Sequence, residues 1–288
     1  MHVHLLDGTY ELFRHFFGVP SHLNGAGEEV GAVRGVLGSV LSMLEEGVTH
    51  VGVATDHVIE SFRNDMYPGY KTGEGIEPTL YSQFPLLEGA LEAMGVTVWA
   101  MAEQEADDAL AAAAAIAAAD PRVERVVICT PDKDLAQCVV GSRVVQLDRR
   151  KGVEFDAAGV VERLGVPPAS VPDYLALVGD SADGFPGLAG WGAKSAAAVL
   201  TRYPTLEDIP HDEATWDVTV RGAARLGAAL RDGWDDALLF RELARLRTDA
   251  PVGRVDDWQW RGPTADLATW ADRFDAPRLV ARAGALQT

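Results

Sequence analysis

Carboxylates dominate the residues of this sequence whose types and spacing could do chemistry. Asp7 follows the apolar run Val3–Leu6, Asp56 follows Val51–Thr55, and Asp132 and Asp134 follow Val126–Thr130. A fourth apolar run, Val96–Met101, leads into Ala102-Glu103-Gln104-Glu105-Ala106-Asp107-Asp108, where acids stand at the predicted start of a helix. A helix N-terminus favours negative charge and keeps such groups ionised. If the four runs are parallel strands, their acidic ends fall on one edge of a sheet, where ligands bind. Mg²⁺ and Mn²⁺ are hard ions that prefer carboxylate oxygen and water. Two such ions about 4 Å apart can clamp a phosphodiester, activate a water and stabilise the leaving oxygen. Without metal, the same cluster would be strongly repulsive. A single acid after a strand is commonly a turn residue or a helix cap. Glu105 with Asp107 and Asp108, together with Asp132-x-Asp134 on a neighbouring strand, reads instead as a metal site.

The elements that must position these acids follow from periodicity. Residues 3–6, 50–55, 96–101, 125–130 and 143–147 are short, β-branched and apolar, as buried strands are. Helical patterns lie between them at 30–46, 81–94, 106–119 and 133–140. The alternation predicts an α/β fold: a mostly parallel sheet with helices on both faces, in three layers. The alanine run 109–119 reads as a tightly packed helix rather than low complexity. From about residue 157 the strands stop. Helices are expected near 170–178, 193–203, 221–246 and 264–285, with a loop rich in Gly, Asp and Pro at 179–192. The expected organisation is a core over 1–164, with an arch-like insertion near 63–85, and a helical region over 165–288.

Composition sets limits. The chain has 288 residues and a net charge of −18, which by itself argues against a nucleic-acid partner. The objection weakens if many acids sit in one metal cluster and two divalent ions cancel four of the charges. No apolar run nears 18 residues, and the start lacks a signal-peptide pattern, so a cytoplasmic protein without a membrane partner is expected. Cys129 and Cys138 read as reduced core cysteines. The seven histidines fit no nucleophilic triad.

Other residues could grip phosphate or bases. Gly187, Gly190 and Gly192 can expose consecutive backbone N–H groups, and the next helix begins near Ala193, so phosphate could bind there without basic side chains. Arg63 and Lys71 could contact a phosphate next to a cut. Tyr67 and Tyr70 could stack on an unpaired base or pack on the core. Lys133, between two acids, reads equally as a salt bridge or a substrate contact.

Taken together, Leu5-Leu6-Asp7-Gly8, Asp56 with Phe62-Arg63-x₃-Tyr67-Pro68-x-Tyr70-Lys71, Glu105-Ala-Asp-Asp108, Thr130-Pro-Asp-Lys-Asp-Leu135, Tyr174–Asp183 and Pro186–Lys194 occur in an order that resembles the 5′→3′ exonuclease and flap endonuclease family. The resemblance runs from end to end and includes Ala237–Ala244 with Thr248-Asp249. It implies a PIN-like nuclease core and a helix–three-turn–helix near 170–203. It implies two divalent cations, Mg²⁺ or Mn²⁺, held by Asp7, Asp56, Glu105, Asp107, Asp108, Asp132, Asp134, Asp180 and Asp183. Arg63 and Lys71 would serve catalysis. Tyr67, Tyr70, Gly187, Gly190, Gly192 and Lys194 would meet DNA, with K⁺ at the hairpin. The implied protein is a monomer that cuts DNA near 5′ ends, nicks and flaps. Glu74 and Glu77 stand where the family usually has bases, which implies weak grip on long single-stranded arms. Two rival readings are a family member that binds branched DNA with little cutting and a small ribonuclease of PIN type.

Overall fold

A computed structural model describes residues 1–286. The strands are β1 (His2–Asp7), β2 (His50–Asp56), β3 (Thr97–Met101), β4 (Arg125–Cys129), β5 (Val144–Asp148) and β6 (Val153–Phe155). The early helices are α1 (Gly8–Gly18), α2 (Gly31–Glu45), α3 (Phe62–Met66), α4 (Pro78–Tyr81), α5 (Phe84–Ala93), α6 (Ala106–Ala119) and α7 (Ala157–Leu164). They are followed by α8 (Val171–Val178), α9 (Ala193–Arg202), α10 (Ala223–Asp232), α11 (Trp234–Ala244), α12 (Leu267–Arg273) and α13 (Arg278–Ala285). The chain forms two compact units: 1–59, 73–130 and 248–286 make the first, and 60–72 with 131–247 make the second.

The first unit is a parallel sheet in the order β3-β2-β1-β4. Its strands are Val, Leu and Ile because both faces are covered; Val3, Leu5, Leu6, Val53, Val126 and Ile128 are fully buried. The chain runs outward from β1 through β2 and β3, then returns to place β4 on the other side of β1. The order therefore reverses beside β1, and the crevice at such a reversal is where these sheets take ligands. Asp7 is the last residue of β1 and also the N-cap of α1, its Oδ1 accepting the Tyr10 N–H at 2.7 Å. Helix α6 has the predicted bounds. Its alanines let it lie close to the sheet, with Ala109, Ala112 and Ala113 fully buried.

Residues 248–286 complete this unit. The indole N–H groups of Trp99 and Trp258 both donate to the Val252 carbonyl, at 3.1 and 2.7 Å, with the rings edge to face. Arg273 pairs with Glu28 and Arg282 with Glu45, at 2.6 and 2.7 Å, tying α12 and α13 to the segment around α2. The single expected helix over 264–285 is broken between α12 and α13, where Asp275 takes a positive φ of 51° ahead of Pro277.

The second unit holds the antiparallel pair β5–β6 and the helices α3 and α7 to α11. Its core centres on α8 and α11, with Leu175, Leu177, Phe185 and Phe240 buried and the two Phe rings stacked at 5.7 Å. The expected helix over 133–140 is a 3-10 turn, Asp134–Cys138. The expected helix over 221–246 is two helices, divided at Gly233. Between 60 and 82, α3 and α4 span five and four residues, so the arch-like stretch is built without a long helix. No described helix is long and apolar enough to cross a membrane.

Candidate metal centre

In the first unit, hydrogen bonds fix the acids at the carboxyl ends of adjacent strands. Asp7 Oδ2 accepts the Thr130 hydroxyl at 2.9 Å, so both of its oxygens are oriented. Asp56 closes β2, and its Oδ1 accepts the Ala106 N–H at 2.8 Å, which binds it to the first turn of α6. The Glu105 N–H donates to Asp108 Oδ2 at 3.0 Å in a capping box, and Glu105 and Asp108 are buried while Asp107 is half-buried. Asp7 and Asp56 thus end adjacent strands, and Asp56 is bound to the first turn of α6, which carries Asp107 and Asp108. Thr130, which sequence reading missed, orients the first of them. Its position between β4 and the Pro131-Asp132 turn was the available signal.

In the second unit, one carboxylate oxygen from each of Asp134, Asp180 and Asp183 lies within 4.8 Å of the others. All three residues are buried. Asp132 is exposed, and its Oδ1 accepts the Asp134 N–H at 3.0 Å. The turn carrying these acids is held from below: Gln146, fully buried, donates to the Asp132 carbonyl, and Arg163 donates to that of Pro131 at 2.6 Å. Lys133 is ion-paired with Asp180, and Lys71 with Asp183 at 3.0 Å. Lys133 therefore realises the salt-bridge alternative. Burial alone would lower the Lys133 ammonium, but the Asp180 hydrogen bond and the acids Asp134, Asp180 and Asp132 outweigh it and hold its pKa above the usual range.

Asp134 shows what the cluster lacks. Among the described residues its buried Oδ1 has no hydrogen-bond partner, an arrangement that costs free energy for a polar atom and more for a charged one. Burial, and then Asp132, Asp183 and Asp180, push its carboxyl well above the ordinary carboxylate range, against the pull of Lys133. An all-oxygen donor set with a partnerless buried oxygen fits a hard divalent cation, which would supply both the missing partner and the missing positive charge.

The residues expected to touch phosphate or bases are placed differently from one another. Arg63 is fully buried; its Nε donates to the Leu243 carbonyl at 2.8 Å and its Nη2 to that of Arg245 at 3.0 Å. In this conformation it braces the second unit, so the expectation of a direct phosphate contact needs correcting. Tyr70 is 3% exposed and belongs to the core, and Tyr67 packs edge-on against Phe240 at 5.8 Å. The packing alternative applies to both rings: Tyr67 lies against Phe240 of α11, and Tyr70 is a buried member of the same core. Lys71 keeps its ammonium 5.6 Å from the Tyr70 ring, beside Asp183.

The glycine loop joins α8 to α9. A side chain at Gly187, φ 67°, would run into the Gly179 nitrogen at 2.3 Å, so this glycine serves chain crossing. Gly190, φ 84°, lies under Arg225, whose Nε would be 3.2 Å from an added Cβ. Gly192 caps α9 with open space around its Cβ position, and exposed Lys194 follows in the first turn. Trp191 fills the core beneath, donating to the Leu226 carbonyl at 3.2 Å.

A parallel sheet with acids fixed along its carboxyl edge is thus continued in sequence by a helical unit with an acidic cluster and a glycine hairpin. The chain belongs to the 5′–3′ exonuclease family: the family's N-terminal resolvase-like domain matches residues 2–165, and its C-terminal SAM fold matches residues 166–266. DNA polymerase I of Mycobacterium leprae is 35% identical over 283 residues, a match that covers 96% of this chain and 29% of that protein. The chain thus spans under a third of the length of such polymerases. Among solved structures, the bacteriophage T5 D15 flap endonuclease in a complex with DNA and metal ions aligns with a TM-score of 0.66 at 16% identity, covering 99% of this chain and 98% of that one. The catalytic core of Rad2 with DNA substrate aligns at 0.65 and 14% identity, covering 98% and 91%. These likenesses extend the fold over nearly the whole chain.

Proposed function

We propose that the chain hydrolyses DNA phosphodiesters near 5′ ends, as a divalent-metal-dependent 5′→3′ exonuclease and flap endonuclease of DNA replication and repair. The observation that carries this reading is Asp134: a buried carboxylate oxygen without a partner, among carboxylates that repel it, inside a family of exonucleases. Asp7, Asp56, Glu105, Asp107 and Asp108 of the first unit would hold one divalent ion. Asp132, Asp134, Asp180 and Asp183 of the second would hold another, with Mg²⁺ or Mn²⁺ as the ion in each. When bound, such ions stabilise charge on phosphate and lower the pKa of water. The chain's own contribution is to keep the carboxylates oriented and to hold Lys71 and Lys133 beside the second group, where each ammonium can turn to a phosphate oxygen. By function, 1–164 would be the nuclease core and 165–288 the DNA-binding region. Gly190, Gly192 and Lys194 would face duplex phosphate, with K⁺ at the hairpin. The protein is proposed to act as a cytoplasmic monomer.

The direct test is digestion of 5′-labelled nicked, gapped and flapped duplexes with and without Mn²⁺. Cleavage should require the metal, and Asp183→Asn should need more of it than the parent. Binding of the flapped duplex with no cleavage under any metal would favour the binding-only reading. Gly190→Val should weaken duplex binding, since it strains a positive-φ position and displaces Arg225. Titration of a labelled duplex checks this, and unchanged affinity would make the loop purely structural.

A further inference from the structure

We propose that the start of α10 is a second phosphate-binding wall, in which Arg221 and Arg225 hold backbone phosphates of the same duplex that the glycine hairpin takes; this rests on the DNA reading above. The second unit engages many of its cations in ion pairs, in a chain that carries 43 acids and 25 bases. Arg202 is bound to Asp217, Arg231 to Glu213, and Arg241 to Glu207 and Asp173. Lys194, Arg221 and Arg225 are exposed, and among the described residues no acid lies within ion-pair distance of them. All three border the hairpin. One groove runs from Gly190 and Gly192 through Lys194 and Ser195 to Thr219, Val220 and Arg221, and no acid lines it. On the other side of Gly190, Arg225 lies against the glycine itself, in a second groove that Asp232 and Asp236 also line.

The placement of the two arginines runs against the needs of the helix. Arg225 is in the first turn of α10, Arg221 just precedes it, and that turn contains no acid. Cations at a helix N-terminus face the positive end of its dipole and are unfavourable there. Among the described residues they gain nothing from ion pairing, yet Arg221 adds positive charge to the groove at the start of α9, and Arg225 stands against Gly190, which lines that groove. The arrangement becomes favourable once a polyanion lies in the groove, because the cations and the amides then act on the same phosphates. The wall extends the hairpin's contact by two phosphates along one strand, and it lets an acidic protein hold DNA with three unpaired cations.

The experiment is binding of a blunt duplex in EDTA, followed by anisotropy over a range of salt concentrations, for the parent, Lys194→Ala and Arg221→Ala/Arg225→Ala, with thermal melting of each. Each phosphate contact removed should make the slope of log K against log salt shallower by about 0.9. The double variant should therefore lose about 1.8 and Lys194→Ala about 0.9. The double variant's melting temperature should stay unchanged or rise, and Arg225→Glu should raise it while weakening binding further. A slope that falls for Lys194→Ala but not for the double variant overturns the second wall and leaves the DNA reading standing. A melting temperature that falls along with affinity assigns the arginines a structural role and also overturns it. If the parent does not bind duplex at all, the DNA reading fails first and the wall with it.

Discussion

Asp134→Asn is expected to stabilise the metal-free protein and, at the same time, to remove nearly all metal-dependent cleavage. The two effects have one cause. In the folded, metal-free state the Asp134 carboxyl holds its proton more tightly than it would in the unfolded chain, through burial first and then Asp132, Asp183 and Asp180. A carboxyl raised in this way costs nothing below the ordinary carboxylate range, and destabilises the fold as pH rises from that range through its folded-state value. Asparagine removes the charge, and its amide can donate to the neighbouring carboxylates. The stability gain should therefore be largest near neutral pH in EDTA and vanish in acid. Mn²⁺ should reverse the order, stabilising the parent and not the variant. Changes to groups outside the coordination shell already cost roughly 10–100-fold, so cleavage by the variant should fall by more than about 100-fold. Melting curves in EDTA and in Mn²⁺ at two pH values, with cleavage rates, check this. A variant that melts lower than the parent in EDTA near neutral pH would mean that Asp134 is satisfied without metal.

Arg63→Met is expected to lower stability by about 3 kcal/mol or more, since it removes two hydrogen bonds from a charged donor and leaves the Leu243 and Arg245 carbonyls without theirs. The melting temperature should fall by roughly 5–10 °C. Arg63→Lys should rescue little, because one ammonium cannot reproduce the planar fork that reaches both carbonyls. At a temperature where the variant is folded, cleavage per folded molecule should be largely retained. Unchanged melting with lost cleavage would return Arg63 to the phosphate.

Particular residues mark how far the sequence could be read. The parallel sheet was legible because its strands are buried on both faces and become unbroken apolar runs ending in acids. Helix α6 was legible to the residue because alanine favours helix on every face. The places of Asp7, Asp56 and Glu105 to Asp108 were legible because strand ends and helix starts constrain them locally. Arg63 was not, since a long cation reads as surface and its acceptors lie 180 and 182 positions further along the chain. Tyr70 was hidden for the same reason, its cover coming from helices far away in sequence. Lys133 could be narrowed to two roles but not one, because its partner Asp180 lies 47 positions away. The breaks at Gly233 and Asp275 were missed although each carries a local signal, the glycine itself at the first and Pro277 just after the second.

The first unit closes only with residues 248–286, and this bears on its history on the ribosome. Its earlier segment ends at residue 130 and its last begins at 248, a gap of 248 − 130 = 118 positions. At about 5–20 residues per second, the nascent sheet waits roughly 6–24 s before the segment bearing Val252 and Trp258 emerges. During that time Trp99 has neither its carbonyl acceptor nor its ring neighbour. Contacts so distant in sequence also fold slowly. The nascent chain is therefore exposed to chaperones and to misassociation before it can be exposed to DNA, and a truncation before Thr248 should yield a soluble fraction far smaller than its retained sequence would suggest.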